Sequence, residues 1–245
     1  MPLGHLLVER LLMYYSLKKA DRIICVSRST AAALQQIYHV QPNKLSIIYH
    51  GIPRFPSDIS PCMDLPDRYF LFVGTLEPRK NIEYIIKAFM AVSYDHKNIH
   101  LVIVGDAGWK NTHIFKIIKQ SSLKNRIHFK GFLPREDLAS IYSNALCLLL
   151  PSIYEGFGFP ILEAMSRDIP VITSNRSSMA EIGRNSAVLV DPFDVFSLIK
   201  AMKEVLTNAY LRKSLIQSGQ EKSKLFSWQN CTQKTLKVFY ETSAN

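Results

Sequence analysis

Tyr69-Phe70-Leu71-Phe72-Val73-Gly74-Thr75-Leu76-Glu77-Pro78-Arg79-Lys80-Asn81 is the stretch from which the fold can be read. Five aromatic and aliphatic residues without alternation mark a strand buried on both faces. Gly74 ends it, and a helical pattern follows from about Asn81 to Ser93. The same unit recurs downstream. Ile99–Val104 ends at Gly105 and precedes a helix from about Lys110. Arg126–Lys130 ends at Gly131, and Pro134 opens a helix to Asn144. Ala145–Leu150 ends at Pro151, Pro160 opens another helix, and Pro170–Thr173 and Ala187–Val190 complete six strands. From Phe193 onward the periodic apolar positions (Leu198, Met202, Leu206; Leu236, Phe239, Tyr240) indicate helices only. Strands separated by helices predict an α/β, doubly wound, six-stranded parallel Rossmann-like sheet, with ligands at the carboxyl ends of the strands.

Upstream the rhythm changes. Pro53, Pro56, Pro61 and Pro66 fall in a stretch with little periodicity, which reads as a linker. Before it, Ile23–Val26 and Leu45–Tyr49 read as strands, with Ser27 and Ser29 as candidate caps of a helix through Tyr38. At the N-terminus Leu3, Leu7, Leu11 and Tyr14 repeat at helical spacing, with Lys18 and Lys19 at the end. This predicts an amphipathic helix, packed on the protein or lying on a membrane surface. Glu9 and Arg10 interrupt the leucines, and neither a membrane-spanning run nor a small-residue cleavage site is visible. The expected division is 1–66, 67–227 and a C-terminal helix over 228–245.

Of the 245 residues, 47% are hydrophobic and 20% charged, which excludes wholesale disorder. The net charge of +10 suits anionic partners without choosing among them. Nucleic acid is not expected, because the cations are dispersed rather than arranged in an aromatic-and-basic stripe. Cys25, Cys62, Cys147 and Cys231 form no C-x-x-C pair. That argues against a zinc site and fits a reducing, cytoplasmic setting.

Chemistry concentrates at two strand ends. After Gly74-Thr75, Arg79 and Lys80 precede a helix, where cations oppose the helix dipole. A bound phosphate would give them a reason to be there; two solvated charges are the alternative. The other end reads Pro151-Ser152-Ile153-Tyr154-Glu155-Gly156-Phe157-Gly158-Phe159-Pro160-Ile161-Leu162-Glu163. Its glycines let the backbone bend around a ligand, and Pro160 suits the first helical position. Glu163 is expected in the first helical turn, facing the same mouth as Glu155. Two carboxylates beside a phosphate site suit sugar hydroxyls. Taken singly, Glu163 could instead serve the helix dipole and Glu155 could be a solvated loop charge.

These residues resemble the donor-binding half of the GT-B retaining glycosyltransferases of family 4, also called glycosyl transferases group 1. The resemblance covers about Ala20 to the C-terminus and is carried by Val73-Gly74-Thr75, Arg79-Lys80-Asn81, Val104-Gly105-Asp106, Gly131-Phe132, Glu155-Gly156-Phe157-Gly158 and Glu163-Ala164-Met165. It implies that Arg79 and Lys80 hold the donor diphosphate and stabilise it on leaving. It further implies that Glu163 binds the nucleotide ribose, and that Glu155 with the amides of Gly156, Phe157 and Gly158, next to Phe159, addresses the transferred sugar. Gly74 and Thr75 line the first strand end, and Gly105-Asp106 and Gly131-Phe132 frame the base. Glu155, Arg79 and Lys80 are the implied catalytic residues. The donor is a substrate, a GDP- or UDP-linked sugar; no cofactor and no metal is expected. The Glu-Pro-Arg-Lys-Asn stretch resembles mannosyltransferases.

Three positions depart from the family pattern: Thr75 where many members have arginine, and Asp168 and Arg184 where glycine is usual. Most of the family's N-terminal, acceptor-binding domain has no counterpart here, and residues 1 to about 49 resemble its last elements. The resemblance therefore implies hexosyl transfer completed by a separate acceptor-binding half. The alternatives are a truncated non-catalytic remnant or donor-binding subunit, and a nucleotide-sugar epimerase. It also implies exposed apolar surface around Leu6 to Leu17, open to self-association or a partner. A cytoplasmic location follows, with peripheral contact at the inner membrane face as a further expectation.

Overall fold

The computed structural model describes residues 3–53, 55, 65–106, 108, 118 and 123–243. The chain divides into two compact units: Met1–Gly51 with Phe226–Asn245, and Ile52–Leu225. The C-terminal helix therefore groups with the N-terminal stretch, whereas the sequence reading set it apart as a third piece.

The first unit holds α1 (Leu3–Lys19), β1 (Ile23–Cys25), α2 (Arg28–Tyr38), β2 (Leu45–Ile47) and α9 (Trp228–Ser243). Ser27 caps α2, its hydroxyl accepting from the amide of Thr30 at 3.0 Å. β1 and β2 pair in parallel as a two-stranded sheet. Leu11 and Tyr14 are exposed on α1, as are Val8, Leu12, Met13 and Tyr15. The expectation of a helix packed through Leu11 and Tyr14 is not met; that of exposed apolar surface is met over the residues whose side chains are described.

The second unit is built on β3 (Tyr69–Val73), β4 (His100–Val104), β5 (Ile127–Phe129), β6 (Cys147–Leu150), β7 (Val171–Ser174) and β8 (Val188–Val190). All pairings are parallel, in the order β5-β4-β3-β6-β7-β8. The expected strands are present, with half of their ends one or two residues shorter and β7 one residue longer at its C-terminal end. In β6 and β7 every residue is buried, and in β3 and β4 all but one. Successive strand residues point to opposite faces, so both faces of the sheet are covered. The edge strands β5 and β8 are less buried. The described helices here are α3 (Ile82–Asp95), α4 (Arg135–Ser143), α5 (Phe159–Met165), α6 (Ser177–Gly183), α7 (Val195–Thr207) and α8 (Ala209–Lys224). The helix expected from about Lys110 lies outside the described residues. α3 packs on α7 and α5 on α8. Burial of a polar side chain in this core is matched by a bond: the Tyr69 hydroxyl donates to the Ile141 carbonyl at 2.6 Å.

The strand order positions the site. Counting from β3 as the first strand, it runs 3-2-1-4-5-6, so connections leave β3 and β6 in opposite directions. The crevice outside their carboxyl ends is a topological switch point, where open α/β sheets bind ligands.

The two positions where glycine is usual in the resembled family differ in backbone. Asp168 does adopt left-handed backbone, φ 62°. Arg184 does not, at φ −53°; the left-handed residue is its neighbour Asn185, φ 65°. Asparagine tolerates that conformation better than most residues.

Candidate functional site

The loops leaving β3 and β6 meet at the switch point. After β3, Pro78–Lys80 makes a single 3-10 turn, and Asn81 follows in left-handed backbone, φ 62°. The Ile153 amide donates to the Arg79 carbonyl at 2.7 Å, joining the two loops through their backbones. The Asn81 amide group donates to the Pro151 carbonyl at 3.1 Å and to the Pro192 carbonyl at 2.6 Å. One side chain thereby fixes the loops after β3, β6 and β8 to each other.

On this frame the expected cations and the first expected carboxylate converge. Arg79 Nη1 lies 2.7 Å from Glu155 Oε2, and Lys80 Nζ lies 2.6 Å from Glu155 Oε1. Ser152 Oγ donates to Glu155 Oε1 at 2.9 Å. Glu155 is buried, so the reading of it as a solvated loop charge is set aside. Its backbone is held as well: its amide donates to Ser177 Oγ at 3.2 Å, and its carbonyl accepts from the Ser178 hydroxyl at 2.9 Å. Arg79 Nε also meets Glu77 Oε2 at 2.8 Å. Partial burial pulls the Arg79 guanidinium down, but the charges of Glu155 and Glu77 outweigh it and hold the group above its ordinary range.

Glu163 stands elsewhere. α5 begins at Phe159 with Pro160 second, so Glu163 falls in the second turn, not the first as expected. Its Oε2 accepts from the Tyr142 hydroxyl at 2.9 Å, and it too is buried. Burial raises its carboxyl above the ordinary value, partly opposed by the Tyr142 bond and the Arg135 charge. Among the described residues, the two carboxylates share no hydrogen-bond partner.

The strand-end glycines are stitched in a row. Gly74 donates to the Val104 carbonyl at 2.9 Å, and Gly105 to the Gly131 carbonyl at 2.7 Å. A Cβ on Gly105 would lie 2.1 Å from the Gly74 carbonyl oxygen, so close backbone approach alone requires glycine there. Thr75, Asp106 and Phe132 are exposed at this end of the sheet. Gly156 is half-buried, and Gly158 precedes α5 with φ 101°. Phe157 is buried and packs edge-on against Phe159, with ring centroids 5.1 Å apart. What Phe157 can offer a ligand is therefore backbone. The residues missed by sequence reasoning are Asn81, Tyr142, Ser152, Ser177 and Ser178. Only Asn81, directly after the two cations, carried a local signal.

The family described as "Glycosyl transferases group 1" matches residues 63–222, and "Glycosyltransferase Family 4" matches residues 3–54. O-antigen chain mannosyltransferase B of Escherichia coli is 30% identical over 237 residues, covering 93% of this chain and 62% of that protein. The chain spans about three fifths of the length of such curated relatives. Among solved structures, sucrose-phosphate synthase from Thermosynechococcus elongatus superposes with a TM-score of 0.80 at 25% identity, over 96% of this chain and 61% of that one. Anabaena HepE in complex with UDP and glucose gives 0.81 at 20% identity, over 94% and 66%.

Proposed function

The chain belongs to the glycosyl transferases group 1 family, and we propose that it supplies the donor-binding half of a retaining hexosyltransferase. The observation that carries this reading is the convergence of Arg79 and Lys80 on the switch point beside buried Glu155. In the reaction, the bond from the anomeric carbon to the β-phosphate oxygen breaks as a bond to an acceptor hydroxyl oxygen forms on the same face; the hydroxyl proton leaves with the diphosphate, on which negative charge develops. Two cations, Lys80 buried and Arg79 nearer the surface, stabilise that charge more in the transition state than in the ground state. They bring the positive charge a metal would otherwise supply. Glu155 and the backbone at Gly156, Phe157 and Gly158 address the sugar. Glu163 binds the ribose through Oε1, since Tyr142 engages Oε2. Gly105, Asp106, Gly131 and the exposed Phe132 frame the base. Similarity to an O-antigen mannosyltransferase favours a mannosyl donor and a glycan or lipid-linked acceptor in polysaccharide biosynthesis.

The acceptor side is proposed to come from a separate protein half or a second copy. The exposed apolar residues of α1 and the open edges of its two-stranded sheet support this. Exposed Leu11 and Leu12 with terminal Lys18 and Lys19 support a second use of α1, peripheral contact with an anionic membrane surface.

Calorimetric titration with GDP and with UDP tests the reading. One of the two is expected to bind, and Glu163→Gln is expected to weaken it on the order of tenfold while keeping the Tyr142 bond. No binding of either, or binding indifferent to Glu163, would favour a non-catalytic remnant. Conversion of the donor without an acceptor would favour the epimerase.

A further inference from the structure

Arg79, Lys80, Glu77 and Glu155 form a closed set of charges. Arg79 Nε meets Glu77 Oε2 at 2.8 Å and its Nη1 meets Glu155 Oε2 at 2.7 Å, while Lys80 Nζ meets Glu155 Oε1 at 2.6 Å. Two cations face two carboxylates, so the four side chains sum to no net charge. A site meant to attract a diphosphate is expected instead to present unbalanced positive charge.

We propose that Glu77 and Glu155 act as a built-in counter-anion of the Arg79–Lys80 pair, so that a diphosphate enters by exchanging ion pairs rather than by filling an open cationic pocket. The proposal rests on the reading of this site as donor-binding. Exchange falls on Arg79, because Lys80 and Glu155 are held. Lys80 and Glu155 are about nine-tenths buried, and Glu155 is bonded at its carboxylate by Ser152 and at its backbone by Ser177 and Ser178. The Arg79 side chain is 45% exposed, and beyond its carboxylate partners it makes, among the described residues, one long bond from Nη1 to the Tyr154 carbonyl, 3.3 Å. Of the two carboxylates, Glu77 is the more exposed, at 26%, and is the one Arg79 can leave.

The arrangement has a use at both ends of a catalytic cycle. Without donor, the carboxylates spare Lys80 the cost of burial as an unpaired charge. Once transfer leaves a free nucleoside diphosphate, they compete for the cations and hasten its departure, a step that often limits turnover. The cost is weaker binding of the diphosphate.

Titration with inorganic pyrophosphate tests this, with melting temperatures recorded for each protein. Wild type is expected to bind it through Arg79, with binding lost in Arg79→Gln. Glu77→Gln, near the surface and outside the proposed catalytic set, is expected to bind about fivefold more tightly, as loss of an exposed ion pair implies. Glu155→Gln is expected to move the same way, and Glu77→Gln remains decisive if that buried variant does not fold. Wild-type binding that depends on Arg79 but is unchanged or weakened in folded Glu77→Gln would overturn the counter-anion and leave the donor site standing. Binding indifferent to Arg79, or none in any variant, would overturn both.

Discussion

Ile24 in β1 and Leu148 in β6 both lie inside parallel strands, yet Ile24 is 38% exposed and Leu148 is sealed from solvent. Each belongs to a strand–helix–strand unit written in the same residues. The difference is in the neighbours. β6 has β3 on one side, β7 on the other and every residue buried; among the described residues β1 pairs with β2 alone and is packed by the helix α2. A parallel sheet depends on being covered on both faces. An apolar run is thus enough to make a strand, and the surrounding elements decide whether that strand becomes core. In the second unit they are present, and in the first Val8, Leu11, Leu12 and Met13 of α1 and Ile24 and Ile47 stay at the surface.

Mutations can break this contrast. The largest effect is expected in the second unit. Phe89→Ala, at a fully buried position of α3, should cost about 4 kcal/mol in urea unfolding. Asn81→Asp should come next, about 2 kcal/mol, because a carboxylate replaces a donor between two carbonyl acceptors. Asn81→Gly keeps the left-handed backbone and separates the lost bonds from strain.

A smaller effect follows pH. His100 Nδ1 and His128 Nε2 are 2.9 Å apart, and burial, then the Arg126 charge, lowers the His100 pKa in the folded state. The unfolded chain therefore binds the proton more readily, so this stability is present above the ordinary histidine value of about 6.5 and lost as pH falls below it. Glu163 has the opposite sign: its raised carboxyl contributes stability below the ordinary carboxylate value that is lost as pH rises through the raised one. Melting curves across pH should lose the first trend in His100→Asn and the second in Glu163→Gln. The smallest change in stability belongs to the first unit. Leu11→Ser with Leu12→Ser should alter stability by no more than about 0.5 kcal/mol while reducing self-association in light scattering.

Much of the site is local in the chain and was legible there. Arg79, Lys80 and Glu155 stand at strand ends, where an α/β sheet collects its ligands. What joins them is not local. Glu155 meets Arg79 across 76 residues, and Asn81 reaches Pro192 across 111. No spacing rule encodes such contacts. The role of Gly105 was hidden for the same reason: the glycine was visible, but the backbone of Gly74 that forbids a side chain there comes from another strand. Glu163 was placed one turn early, because Pro160 was assigned the first helical position and occupies the second.

Uninterrupted apolar runs, strand-end glycines and helix-opening prolines were enough by themselves to determine a parallel α/β sheet, and with it the end of the sheet that carries the chemistry. Those signals act over a few residues, through sterics and hydrogen bonding along the chain. Only the tertiary structure decided that Arg79 and Lys80 spend their charge on Glu77 and Glu155, and that Glu163 answers to Tyr142. Ion pairing and burial depend on distance in space, and the fold alone sets that distance.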